Sequence, residues 1–198
     1  EDGAAAVARV RATGRRNRAR RSASSGLLAA TDAERQAQLE EALATQMAMQ
    51  KMAKPVVSAV QGAAVGGGAG LAIGCDMVVA SRTLKFGYPE LRHSIVPALV
   101  MTGLVRALGR KQAFEMVSLG RLIGADEALS LGLVNRVVDG DPLPAAIEIA
   151  ETWAAYEPRA MKAAKSLLYR VEDLPLEPAM QAGRDVNALM RSFREPEA

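Results

Sequence analysis

From Thr31 onward, apolar and polar residues alternate with recognisable periods. Leu39, Leu43, Met47 and Gln50 recur at helical spacing and mark the inner face of a helix running to Met52. Thr31-Asp-Ala-Glu34 opens it as a capping box, with Glu three residues after Thr. Met47, Met49 and Met52 read as adaptable core filler. Pro55 ends this helix. Val56-Val-Ser-Ala-Val60 is a short buried strand, and Gly62 to Gly70 is a turn entering a helix of small residues that ends near Cys75-Asp76. Met77–Ala80 and Leu84–Phe86 are two further strands, the second followed by a tight Gly87-Tyr-Pro-Glu90 turn. Helices are expected over Ala98–Leu108, Lys111–Leu119 and Ala125–Leu131, with Gly109, Gly120 and Gly132 at their C-caps. Leu133–Val138 is the last strand. Pro142–Tyr156, Pro158–Arg170 and Leu176–Phe193 close the chain as helices, with Pro142 and Pro158 suited to first-turn positions. No internal repeat is apparent.

Residues 1–26 read differently. They are rich in Ala, Arg, Ser and Gly, contain no Leu, Ile, Met or aromatic residue, and have Val7 and Val10 as their largest apolar side chains. Such a segment buries too little surface to offset its ordering entropy, so a poorly ordered tail is expected. Its seven arginines between Arg9 and Arg21 also fit an arm for nucleic acid or another anionic surface. The absence of interleaved aromatics argues against that reading, and neither nucleic acid nor membrane is expected as a partner.

The net charge of +3 resides in this segment, because the remainder is slightly acidic. Across the chain, 49% apolar and 24% charged residues describe an ordinary globular composition. With 4% aromatics, the core must be built from Ala, Val, Leu, Ile and Met. A single cysteine, Cys75, cannot form an internal disulfide. No apolar run reaches the ~18–20 residues that span a bilayer, and no apolar stretch follows the basic N-terminus as in a secretory signal. A cytoplasmic location is the expectation.

The glycine run Gly66-Gly67-Gly68, between a Val-rich strand and a helix, lets backbone approach a ligand and aims N–H groups at it from a helix N-terminus. A phosphate or the oxygen of a polarised carbonyl would fit, and close helix–strand packing would also use such glycines. Ala69-Gly70-Leu71 follows instead of the Lys-Ser/Thr of a phosphate loop, and the spacing is not G-x-G-x-x-G. No His/Cys/Asp cluster has metal-ligand spacing.

Taken together, Lys54-Pro-Val-Val-Ser-Ala-Val-Gln-Gly62, Gly66-Gly-Gly68 and Cys75-Asp76-Met-Val-Val-Ala80 resemble the signature of the enoyl-CoA hydratase/isomerase (crotonase) family. Phe86-Gly-Tyr-Pro-Glu90, Ile95-Val-Pro97, Leu108-Gly-Arg110, Ala125-Asp-Glu-Ala128 and Gly132-Leu-Val-Asn-Arg-Val-Val138 continue it in order, over about Ala30 to Arg194. The resemblance implies an α/β fold, a spiral of ββα units, with a core over residues 27–140 and a helical trimerisation region over 141–198. It implies homotrimers or hexamers acting on an acyl-CoA thioester, with no cofactor beyond the coenzyme A of the substrate.

The resemblance also implies roles. The thioester carbonyl would sit between two backbone N–H groups, one of them that of Gly67, while Glu90 acts as the catalytic carboxylate. Gly66, Gly70 and Pro97 would line the substrate; Tyr88 would line the acyl pocket or pack in the core. The second N–H donor is best matched at Leu27, in Ser24-Ser-Gly-Leu27, although Ala23 and Leu28 stand where the family has Phe and Asp. His93, Cys75 and Asp76 are weaker candidates, read as a part-exposed side chain, a small buried one and a helix-end or strand-entry residue.

Two departures bear on activity. The family hydratases carry a first glutamate three residues after the oxyanion glycine, and this chain has Gly70 there. Two carboxylates suit addition of water to a C=C bond; one suits a proton shuttle, as in double-bond isomerisation. Hydration would need another group to hold the water. Secondly, only 53 residues precede Lys54, where the family carries about two ββα units, so the N-terminal units look truncated and residues 1–26 look like out-of-frame or degraded coding sequence. The C-terminus also looks short. Missing strands would expose sheet edges. The alternative to an active enzyme is therefore a catalytically impaired acyl-CoA-binding pseudoenzyme.

Overall fold

A computed structural model of the chain describes residues 6–11 and 31–193. Its elements are β1 (Ala6–Arg11), α1 (Asp32–Lys51), β2 (Val56–Gln61), β3 (Ala63–Val65), α2 (Gly67–Ile73), β4 (Met77–Ser81), β5 (Lys85–Gly87), a 3₁₀ turn (Glu90–His93), α3 (Ala98–Leu119), β6 (Leu122–Ile123), α4 (Ala125–Ser130), β7 (Arg136–Val138), α5 (Leu143–Ala154), α6 (Pro158–Val171) and α7 (Leu176–Arg191).

Strands β1-β2-β4-β7 form an all-parallel sheet in that order. A parallel sheet is covered on both faces, which explains the unbroken burial of Val56 to Val60. Alternate residues serve opposite layers. Val57, Ala59 and Val79 pack with Ala146, Ile149 and Ala150 of α5, whereas Val60, Val78 and Ala80 face the core shared with α2 and α3. Ser58, the one polar residue of the run, donates its hydroxyl to the Ala72 carbonyl at 3.1 Å. In the second sheet, β3 runs parallel to β5 and β6 pairs antiparallel with β5.

Several expectations are met residue by residue. Thr31 and Glu34 form the reciprocal capping box. Gly109, at φ +72°, breaks the ladder inside α3, and Gly120, at φ +58°, caps it, dividing α3 where two helices were expected. Three strands escaped the sequence reading: β1 within the Arg-rich segment, β3 inside the expected turn, and β6. The rest of residues 1–26, and Leu27, lie outside the described residues.

One expectation needs correction. Leu39, Leu43 and Met47 are not packed in a core: they are 54%, 40% and 38% exposed, and α1 contains no buried residue. Leu43, Met47 and Gln50 do face inward, but toward an open cavity of ≈ 460 Å³ between α1, α2 and α3. The helical stripe identifies a face correctly; what the face meets is space rather than close-packed side chains.

Candidate active site

Pairing of β3 with β5 builds the site. Val65 stands opposite Gly87, and the Gly66 N–H donates to the Gly87 carbonyl at 3.0 Å, so the glycine run and the Tyr88-Pro89-Glu90 turn leave the sheet side by side. Gly66 adopts φ +58°, ψ −123°, a conformation that L side chains rarely take. Its missing side chain is also a spatial requirement. A Cβ at this position would overlap Oε1 of Glu90. Gly66→Ala is therefore expected to lose about 1–3 kcal/mol of stability from backbone strain alone. Chemical denaturation measures this, and an unchanged midpoint would contradict the geometry.

The glycine run opens α2. The Gly70 N–H returns to the Gly66 carbonyl at 3.0 Å, but among the described residues no acceptor takes the N–H of Gly67, Gly68 or Ala69. First-turn amides lack intrahelical partners by construction. Gly67 is exposed, so its amide can meet a ligand.

Glu90 starts the 3₁₀ turn, which Ser94 ends in a left-handed conformation at φ +56°. The Glu90 carbonyl accepts from the Ile95 N–H at 3.1 Å. Its side chain is half-buried, and Oε2 is buried without a hydrogen-bond partner. Tyr88 is fully buried, its ring edge-on to Phe86 at 5.7 Å, and its hydroxyl is likewise unpartnered. Burial, reinforced by the Glu90 charge, pushes the Tyr88 phenol well above its ordinary range. The phenol is therefore neutral at physiological pH and available as a donor. Buried polar groups are nearly always paired, and the Glu90 carboxylate, unpaired at Oε2, lies against Gly66.

Of the remaining candidates, Pro97 is buried at the head of α3, and His93 is exposed on the 3₁₀ turn. Cys75 is buried, and desolvation pushes its thiol up to about 11, which makes it a packing residue rather than a nucleophile. Gly70 lines the cavity beneath α1. A Cβ there would stand 2.5 Å from Cγ1 of Val100 and 2.7 Å from Oε1 of Gln46. Val100 and Gln46 thus close on the space that a side chain at position 70 would take. Among the described residues, no group of three or more His, Cys, Asp or Glu side chains could hold a metal. No helix of the described residues is long and apolar enough to cross a membrane.

Two side chains that tie distant segments together escaped the sequence reading. Gln46 lies seven residues beyond Leu39, a polar residue on the apolar stripe of α1, and this was the available signal. Lys165 sits among Met161 and Leu168 on α6 and is 7% exposed. Its ammonium donates to the Met49 and Lys54 carbonyls and to Asp76, at 2.7, 3.0 and 2.7 Å. Asp76 accepts further from the Val56 N–H at 2.6 Å and the Tyr169 hydroxyl at 2.9 Å. It is a hub joining α6, the end of α1 and the entries of β2 and β4, which is more than the helix-end or strand-entry role expected of it.

Comparison with known proteins agrees with the geometry. The 2,3-dehydroadipyl-CoA hydratase of Escherichia coli is 35% identical over 149 residues, 74% of this chain and 58% of that protein. A Thermus thermophilus protein with a provisional enoyl-CoA hydratase name is 42% identical over 139 residues, 70% of this chain and 55% of its own length. The crystal structure of a Mycobacterium smegmatis enoyl-CoA hydratase superposes with a TM-score of 0.75 at 30% identity, covering 81% of this chain and 63% of that one. The chain thus spans a little over half the length of the curated relatives it matches. The family model for enoyl-CoA hydratase/isomerase matches residues 21–193, a range that includes the glycine run, the Pro89-Glu90 turn and all three C-terminal helices. With that match and the crotonase fold in agreement, the chain belongs to the enoyl-CoA hydratase/isomerase family.

Proposed function

We propose that the protein isomerises an enoyl-CoA thioester, with the Gly67 N–H as oxyanion donor and Glu90 as the one acid/base. The observation that carries this reading is the Glu90 carboxylate lying against Gly66, one residue from an amide without an acceptor. The Gly67 N–H donates to the thioester oxygen. Glu90 takes the C2 proton of a 3-enoyl thioester, and the electron pair moves onto that oxygen as an enolate. The C3–C4 double bond then gives its pair to the returning proton at C4, the enolate C1–C2 pair moves to C2–C3, and the oxygen pair re-forms the carbonyl, which gives the conjugated 2-enoyl thioester. A preorganised N–H contributes about 3 kcal/mol to such a charge in comparable sites, because the charge develops only during reaction. The Leu27 N–H is the second donor in this reading. Coenzyme A enters as part of the substrate, and no further cofactor takes part.

Filling of the Gly70 space favours one-carboxylate chemistry over hydration. The protein also acts as a homotrimer or hexamer in this reading, which the exposure of Leu168, Leu176 and Met180 on α6 and α7 supports. The test is spectrophotometric. The purified protein should raise the conjugated enoyl-thioester absorbance of 3-hexenoyl-CoA and leave crotonyl-CoA unchanged. Loss of absorbance with crotonyl-CoA would mean hydration instead. Silence with both, in a folded protein, would favour the impaired acyl-CoA binder.

A further inference from the structure

Gln46 reaches the glycine run from α1, 21 residues earlier in the chain. Its Nε2 donates to the Gly67 carbonyl at 3.2 Å. A carbonyl can only accept, so chemistry fixes which end of the amide faces it. The nitrogen is on Gly67 and the oxygen is on position 70, where Oε1 stands 2.7 Å from the place a Cβ would occupy. Val100 closes the other side of that place. One neutral side chain thus grips the oxyanion glycine and stands at the position where family hydratases carry a carboxylate.

We propose that Gln46 is a positioning residue of the site: its amide takes over the space at Gly70 and holds Gly67 by its carbonyl, so the residue stays fixed and the N–H on its other side, in the preceding peptide, stays preorganised with no carboxylate at position 70. The proposal rests on the reading that Gly67 donates to a substrate oxygen. Its physical basis is the short length of α2. Seven residues, four of the first eight positions from Gly66 being glycine, provide little intrinsic rigidity at the helix start. The hydrogen bond from α1 supplies a tether from outside the helix. An amide oxygen accepts hydrogen bonds but takes up no proton at physiological pH, so Gln46 adds no second base.

The test uses the full chain and two variants, Gln46→Met and Gln46→Glu. Met keeps the length and loses the donor. Glu keeps the shape, loses the donor when ionised, and sets a negative charge against the Gly67 carbonyl. With 3-hexenoyl-CoA, kcat should fall about three- to tenfold in Gln46→Met, the range one neutral hydrogen bond supports, and at least as far in Gln46→Glu, with KM changed less than kcat. The enolate fraction of bound acetoacetyl-CoA, read by ultraviolet absorbance, should fall in both variants, since it reports donor strength rather than pocket shape. Amide hydrogen exchange at Gly70, whose N–H closes the first turn on the Gly66 carbonyl, should quicken in both variants without any substrate. Wild-type kcat, enolate fraction and exchange in both variants would overturn the proposal, as would a change confined to KM. A wild-type protein that is silent with every acyl-CoA would instead remove the isomerase reading. Exchange would still decide whether Gln46 tethers the glycine run, and unchanged exchange would overturn the tether itself.

Discussion

Glu90→Gln is expected to lower turnover of a 3-enoyl-CoA by a factor on the order of 10²–10⁴, the usual contribution of a positioned acid/base. The substitution is close to isosteric. The carboxylate lies against the backbone of Gly66, and its buried Oε2 makes no hydrogen bond that the amide would forfeit. Packing is therefore preserved while the ability to take a proton is removed. The loss should fall on kcat, with acyl-CoA affinity unchanged, because a proton acceptor acts between ground state and transition state. Equilibrium binding of a non-reactive acyl-CoA and steady-state kinetics separate the two. A variant that retains wild-type kcat would remove Glu90 from the chemistry. Equal binding with no activity in either protein would identify the chain as a binder.

Lys165→Met is expected to destabilise the fold by about 3–5 kcal/mol, the cost of leaving one member of a buried ion pair uncompensated. The Lys165 side chain is 5% exposed and that of Asp76 is 12% exposed. Removing the ammonium abandons two backbone carbonyls and the Asp76 charge together. Asp76 would keep only the Val56 amide and the Tyr169 hydroxyl, whose phenol is already held above its ordinary range by burial and the neighbouring carboxylate. Lys165→Met combined with Asp76→Asn should recover part of the loss, since the unpaired charge is then gone. Chemical denaturation of both variants checks this. A single variant within about 1 kcal/mol of wild type would mean that the hub contributes little, as exposed ion pairs do.

Local signals in the sequence correspond to local structure. The Thr31/Glu34 capping box and the glycine breaks at 109 and 120 follow from interactions within a few residues, and the Val56–Val60 strand shows itself as an unbroken short run. Strands β3 and β6 were not legible, because three and two residues carry too little pattern and become strands only through pairing with β5. Strand β1 escaped because Ala and Arg dominate its composition. The site shows the same division. Glu90 and Gly67 are candidates only through the family pattern, since no local rule reveals that β3–β5 pairing brings the two segments together. Gln46 and Lys165 were missed because each acts on residues distant in the chain. In both cases the legible trace was a polar residue on the inward face of its helix, toward the open cavity for Gln46 and buried for Lys165.

The most direct measurement follows the proton. 3-Hexenoyl-CoA deuterated at C2 would be converted in ordinary water and the 2-enoyl product examined by NMR. A single carboxylate carrying the same hydron from C2 to C4 predicts deuterium at C4 of the product, and product formation slowed by a factor on the order of 10²–10⁴ with Glu90→Gln. A product whose C4 carries only solvent hydrogen would contradict direct transfer of the hydron, and one formed as readily by Glu90→Gln would contradict Glu90 as the carrier.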